Sequence, residues 1–301
     1  MSISRLKKRL LVVYLLVGVL VILSACTGSA ATQPPTRTPL VPTPLPTPLN
    51  VPAAPFEVTV DGLHIVGHCS GTQVPGIPVV ILQSGNGGDE THLRGIERHL
   101  NGRTRVCAWA RPGAGGSAAP ASLPRPAEAV VAEMHGIITA LKLEPPYFLV
   151  GQSYGGLMVF MFAQAYPDEV AGFVSMNPPP PYTKWVEAAR PAAISEQMFA
   201  DAEADYRGEN PEQIDSRGND SMLTSPLPSG MPYAVMYDED CGGAPDCDVT
   251  WEAAVEELLA SVGDGGRWIW AKGAGHEIHM TQPQLVADTI DEVWNLALPP
   301  R

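Results

Sequence analysis

Ser153 stands in Gly151-Gln152-Ser153-Tyr154-Gly155-Gly156, directly after the apolar run Tyr147-Phe-Leu-Val150 and directly before an apolar stretch that starts at Leu157. A strand, a serine between glycines and a helix together describe a nucleophile elbow, a strained turn whose neighbouring positions have no room for side chains. The turn presents the hydroxyl at the N-terminal end of the helix, where the helix dipole favours negative charge. A free serine hydroxyl is a weak nucleophile, so the next question is which base can reach it.

There are seven histidines. His276 follows Lys272-Gly-Ala-Gly in a loop between the last apolar run and the last amphipathic stretch, which gives the chain order nucleophile, acid, base. His64, His68, His92 and His99 all precede the serine, and His135 falls inside a helical stretch where packing or capping accounts for it. His279 forms an H-x-x-H pair with His276, but no HExxH or Cys/His cluster accompanies it, so neither a metal nor a cofactor is expected. The acid that orients the imidazole is expected where Tyr233-Ala-Val-Met-Tyr237 ends in Asp238-Glu239-Asp240, because ligands of open α/β folds gather at the C-terminal edge of the sheet. Asp240 is the preferred acid and Asp238 the alternative, ahead of Glu239, Asp246 and Asp248. The end of the preceding strand holds Asn177, which bears no charge.

These residues need a scaffold. Short apolar runs at Glu57–Val60, Leu63–Val66, Pro78–Leu82, Arg105–Trp109, Tyr147–Val150, Ala171–Ser175, Tyr233–Tyr237 and Trp268–Ala271 alternate with helical patterns at Ala127–Leu141, Leu157–Ala165, Trp251–Leu259 and Gln284–Leu296. Continuous rather than alternating apolar runs, separated by helices, imply a mostly parallel eight-stranded sheet covered on both faces. The expectation is one three-layer α/β domain over 56–301. Asn177–Met231 breaks the alternation, opens with Pro178–Pro181, and reads as a cap insertion with a helical stretch around Trp185–Tyr206.

The first 55 residues do not belong to that domain. Arg5, Lys7, Lys8 and Arg9 precede an apolar run from Leu10 to Leu23, the layout of an export signal and too short to cross a membrane unaided. The run ends in Leu23-Ser24-Ala25-Cys26, which resembles the lipobox of bacterial lipoproteins; residues 1–25 would then be a signal peptide and Cys26 a lipid-bearing N-terminus. The chain would be extracytoplasmic and held to a membrane. Residues 26–55, rich in proline and threonine, read as a polyproline-II spacer. The whole chain carries a net charge of −13. Without the four basic residues of the leader, 15 positive and 32 negative charges leave −17, which argues against nucleic acid as a partner and mildly against anionic substrates.

The region from about 58 to 297 resembles the α/β-hydrolase superfamily, in particular secreted bacterial members of the lipase and esterase type. Besides the elbow, Gln83-Ser84-Gly85-Asn86-Gly87-Gly88 stands where the family often has His-Gly, and Arg111-Pro-Gly-Ala-Gly-Gly-Ser117 looks like the family's Asp-Arg-Pro-Gly-x-Gly-x-Ser. Tyr166-Pro167 and Gln282-Pro283 also fit. Ser84 in place of histidine, Ala110 in place of aspartate and an irregular acid loop are departures. The resemblance implies an oxyanion hole from the backbone N–H groups of Asn86 and Tyr154. With Cys26 given to lipid, four of the five cysteines remain for two bridges. The family's strand order implies Cys69–Cys107, and Cys241–Cys247 would close a short loop after the acid candidates. The resulting expectation is a serine hydrolase that cleaves small-molecule carboxylic esters through Ser153, His276 and Asp240. Tyr154, Met176, Pro178 and Trp185 are available to line an apolar acyl pocket. A proline-releasing aminopeptidase, with Glu187, Glu196, Asp201 or Glu203 holding a substrate ammonium, and a non-catalytic binding protein are the rival readings.

Overall fold

Each central strand reads as an unbroken apolar run because both of its faces are buried. In β3 (Val79–Gln83), Val79 and Ile81 enter one core cluster while Val80 and Leu82 enter the other. Leu149 is likewise divided from Phe148 and Val150 in β6 (Tyr147–Gln152). Two cores on opposite faces of one sheet make the three-layer architecture.

The computed structural model describes residues 52–120, 123–179, 212, 214–215, 225–238 and 265–299. The leader 1–25, Cys26, the spacer up to position 51, Trp185 and most of the cap insertion, Asp240, the Cys241–Cys247 pair and the stretch Trp251–Leu259 lie outside them. All described residues belong to one unit, Pro46–Arg301. Among them, no helix is long and apolar enough to cross a membrane.

The eight-stranded sheet has the order β1-β2-β4-β3-β6-β7-β9-β10, with β1 at Ala54–Val60, β2 at Leu63–Ser70, β4 at Val106–Trp109, β7 at Val170–Met176, β9 at Tyr233–Tyr237 and β10 at Gly266–Trp270. β1 and β2 pair antiparallel, as do β2 and β4; every other neighbouring pair is parallel. β1 starts three residues before the expected Glu57, because Ala54, Pro55 and Phe56 pair with Cys69, His68 and Gly67. Proline is tolerated there because β1 is an edge strand.

Helices α1 (Arg94–Leu100) and α5 (Pro283–Ala297) cover one face through Ile96, Leu100, Val286, Ile290 and Trp294. α2 (Ala127–Ala140) and α3 (Tyr154–Ala165) cover the other through Val130, Met134, Ile137, Phe160 and Phe162. α3 is buried from Gly155 to Ala163 without interruption, as befits a helix hydrophobic all round. His135 on α2 is a packing residue, its ring stacked on Tyr166 at 4.1 Å and its Nε2 3.1 Å from Glu169 Oε1. A second, two-stranded parallel sheet, which the sequence pattern does not announce, pairs β5 (Arg125–Pro126) with β8 (Ile214–Asp215) and so ties the insertion to the body of the domain. Cys69 and Cys107, opposite each other on β2 and β4, are joined by a disulfide.

Candidate active site

β6 delivers the chain to Ser153, which takes φ 55° and ψ −125° before α3 begins at Tyr154. A non-glycine residue in this region is strained, and the strain persists because the surroundings overdetermine it. The Ser153 N–H donates to Met176 O at 2.7 Å, and Ser153 O accepts from Leu157 N–H at 3.0 Å. A Cβ at Gly155 would strike the carbonyl oxygens of Gln83 and Ser84, and one at Gly151 would strike the backbone of Gly155. The G-x-S-x-G pattern is therefore a steric demand of the turn. Ser153 sits at the N-cap of α3 yet its side chain makes no capping bond, unlike most serines at that position. Its hydroxyl is not consumed by the helix it precedes.

The loop Gln83–Gly88 lies against this turn. A Cβ at Gly85 would strike Gln152 Oε1 and come within 3.2 Å of Ser153 Cβ, so the loop backbone passes close to the nucleophile where a side chain would crowd it. Arg111, 2% exposed, fixes the loop: Nη1 donates to Ser84 O at 2.6 Å and Nη2 to Gly85 O at 2.8 Å. The same guanidinium donates through Nε and Nη2 to both carboxylate oxygens of Glu212, which is fully buried. Glu212 Oε1 in turn accepts from Gly87 N–H at 2.6 Å. One fork-to-fork ion pair thus holds two carbonyls and one amide of a single loop. Ser84 Oγ, where the family often has histidine, donates to Gly88 O at 2.8 Å and closes the loop on itself. The amide of Gly88 is taken by Gly85 O. Asn86 N–H, like that of Gly85, has no hydrogen-bond partner among the described residues.

The rest of the Arg111 motif is structural. Ser117 Oγ donates to Ala110 O at 2.7 Å and accepts from Val66 N–H at 3.0 Å, stitching the turn to β2. Arg125 backs the ion pair with a donation from Nε to Glu212 O at 3.1 Å and a contact with Glu133. Burial lowers the Arg125 pKa from its usual value, against the pull of Glu133 and Glu212; burial raises that of Glu133 despite Arg125. A cavity of about 210 Å³ lined by Val60, Leu63, Pro112, Arg125 and Ile137 contains none of the residues assigned to chemistry.

His276 lies in the loop between β10 and α4 (Ile278–Thr281), and its ring is exposed. Among the described residues the ring accepts or donates no hydrogen bond. What is fixed is its backbone: Asn177 Nδ2 donates to His276 O at 3.1 Å. Asn177, at φ 45° just past β7, also accepts from Asp238 N–H through Oδ1 at 2.9 Å, and its own N–H donates to Met236 O at 2.7 Å. A residue that the sequence reading sets aside for lack of charge therefore joins the ends of β7 and β9 to the base loop. Asp238 is 5% exposed at the C-terminal end of β9, beside this bridge. Asp240 lies outside the described residues.

Glu212 and the bridging role of Asn177 are what sequence reasoning missed. Glu212 has no motif around it; its one foreshadowing is that the buried Arg111 of the Arg-Pro-Gly turn needs a counter-charge. Asn177 carries a weak signal, because asparagine tolerates positive φ at a strand end better than other residues.

A family model described as the alpha/beta hydrolase fold matches residues 78–216, which include the elbow, the Gln83–Gly88 loop, Arg111 and Glu212. An uncharacterized protein of Bacillus subtilis, YqjL, is 22% identical over 216 residues, 71% of this chain and 83% of its own length. Among solved structures, a proline iminopeptidase from Mycobacterium smegmatis superposes with a TM-score of 0.60 at 15% identity, covering 81% of this chain and 98% of that one. A thermophilic esterase from Thermogutta terrifontis gives 0.58 at 19% identity, covering 82% and 100%. These likenesses establish the fold.

Proposed function

We propose that this chain, which has the α/β-hydrolase fold, is a serine hydrolase that cleaves carboxylic esters. The observation that carries the reading is the backbone of Ser153, held at φ 55° and ψ −125° with its hydroxyl uncapped and glycine backbone packed beside it. Ser153 Oγ attacks the ester carbonyl as His276 takes its proton, and the amides of Tyr154 and Asn86 receive the oxyanion. Return of the proton to the leaving alcohol gives the acyl-enzyme, which water activated by His276 then hydrolyses. Asp240 orients the imidazole in this reading. The burial of Asp238 and its place on the Asn177 bridge support Asp238 as the second candidate.

The reading also takes Cys26 as a lipidated N-terminus after removal of residues 1–25, with the spacer holding the domain away from an extracytoplasmic membrane face, and Cys241–Cys247 as a second disulfide. Incorporation of labelled palmitate that disappears in Cys26→Ser tests the anchor.

The activity is tested with a panel of p-nitrophenyl acyl esters alongside prolyl p-nitroanilide. Ester turnover in the wild type and its loss in Ser153→Ala are the expected result. Turnover of the anilide alone would replace the esterase by an aminopeptidase of the kind the iminopeptidase likeness suggests. Turnover of neither by folded protein would favour a binding protein.

A further inference from the structure

His92, Glu277 and His279 meet beside the base loop, although His92 lies far upstream, in the turn that follows the Gln83–Gly88 loop. Glu277 Oε2 is 3.4 Å from His92 Nε2 and 3.5 Å from His279 Nδ1, and one donor atom from each residue falls within 4.8 Å of the others. A tetrahedral zinc ion held at ~2.0–2.1 Å sets neighbouring donor atoms about 3.3 Å apart. Two of the three edges already have nearly that length. The third, between the two imidazoles, is within 4.8 Å, and the His92 side chain is only partly buried.

These contacts are not hydrogen bonds. Glu277 Oε2 and both ring nitrogens of His279 are buried with no hydrogen-bond partner. The His279 side chain is 4% exposed, so its ring faces the cluster with bonding capacity that no well-formed hydrogen bond takes up, the His92 backbone being its one nearby polar group besides Glu277. Burial also lowers the His279 pKa, against the pull of Glu277, which favours the neutral, metal-binding form of the ring. Two imidazoles and a carboxylate are a donor set suited to zinc, and the more open His92 and Glu277 give an ion access from solvent.

We propose that His92 Nε2, Glu277 Oε2 and His279 Nδ1 form a binding site for a divalent transition-metal ion of the zinc type, its fourth position open to water. The ion clamps the turn after the Gln83–Gly88 loop to the segment that begins at His276, so the two loops assigned to the oxyanion and the base share one pin. The site stands on its own geometry and does not depend on the esterase reading.

The test loads the full chain with Zn²⁺, desalts it and measures retained metal by mass spectrometry, beside His92→Ala and His279→Gln. About one zinc per chain in the wild type and about a tenth of that or less in each variant are expected. Adding Zn²⁺ at about 100 times its Kd to chelator-stripped wild type should raise Tm by about 5–10 °C and leave His92→Ala unmoved. His92→Ala alters a partly exposed turn residue, so it decides the matter even if His279→Gln fails to fold. Wild type that retains no zinc, or His92→Ala that retains as much as wild type, overturns the proposal.

Discussion

On one side of Ser153, the Gln83–Gly88 loop is held by a buried guanidinium, a buried carboxylate and the glycine backbone of the elbow itself. On the other side, the loop of His276 is held through backbone carbonyls by Asn177, Thr281 and Gln282, and the ring is exposed. The proposed catalysis divides along the same line. Oxyanion donors act by being fixed before the reaction begins, so a rigid buried frame suits them. The base that must take a proton, return it and then activate water sits on a loop held through its backbone, and in the proposed mechanism its ring takes its orientation from the triad acid. The contrast teaches that stability and chemistry are separable here: the frame should govern whether the domain folds, and the exposed histidine should govern only whether it reacts.

The sharpest separation is expected at the reacting groups. Ser153→Ala and His276→Ala should each lower ester turnover by about 10⁴–10⁶-fold. Their melting temperatures should stay close to wild type, since neither side chain supports the frame. A His276→Ala variant that melted far below wild type would break the comparison. Asp240→Asn and Asp238→Asn belong to the same experiment: a loss near 10⁴-fold in one and a minor change in the other would identify the orienting acid.

The next largest effect is on folding. Arg111→Leu leaves Glu212 buried with only Arg125, 3.8 Å away, as counter-charge; loss of such a buried partner costs up to about 3–5 kcal/mol, and urea denaturation should show it. A loss below about 1 kcal/mol would mean that the frame is not what holds the oxyanion loop. Asn177→Ala removes three hydrogen bonds, the longest of them weak, at up to about 1 kcal/mol each, and loosens the base loop. It should lower kcat about tenfold through misplacement of His276 with little change in KM.

The smallest effect is a pH dependence away from the site. Burial pushes the Asp291 carboxyl up, but contacts with His99 and Arg103 outweigh it and leave the group below its ordinary 3.8. A lowered carboxyl pKa stabilises the fold fully above the unfolded value and ceases to do so as pH falls through the folded one. Thermal melts should therefore steepen in their acid dependence below about pH 4, and Asp291→Asn should flatten that part by less than about 1 kcal/mol.

The rigid side was also the more legible in sequence. Burial on both faces forces β3 and β6 to be continuous apolar runs, and the Ser153 turn forces Gly151 and Gly155, so local constraints wrote themselves into short strings of residues. Glu212 was not legible, because what makes it matter is a guanidinium brought to it by the fold from another segment, and it lies in the insertion outside the one stretch, Trp185–Tyr206, that carries a helical pattern. The meeting of His92 with Glu277 and His279 was hidden for the same reason. The pairing of Ala54 and Pro55 into β1 shows a milder form of this, since a proline at an edge strand looks in sequence like the end of a linker.

The central claim is that the elbow presents an activated serine. It is tested most directly by treating the folded protein with a fluorophosphonate and mapping the modified peptide by mass spectrometry. The account predicts a single label on Ser153 that vanishes in Ser153→Ala and falls sharply in His276→Ala. An unlabelled wild type, or label on another residue, would contradict it.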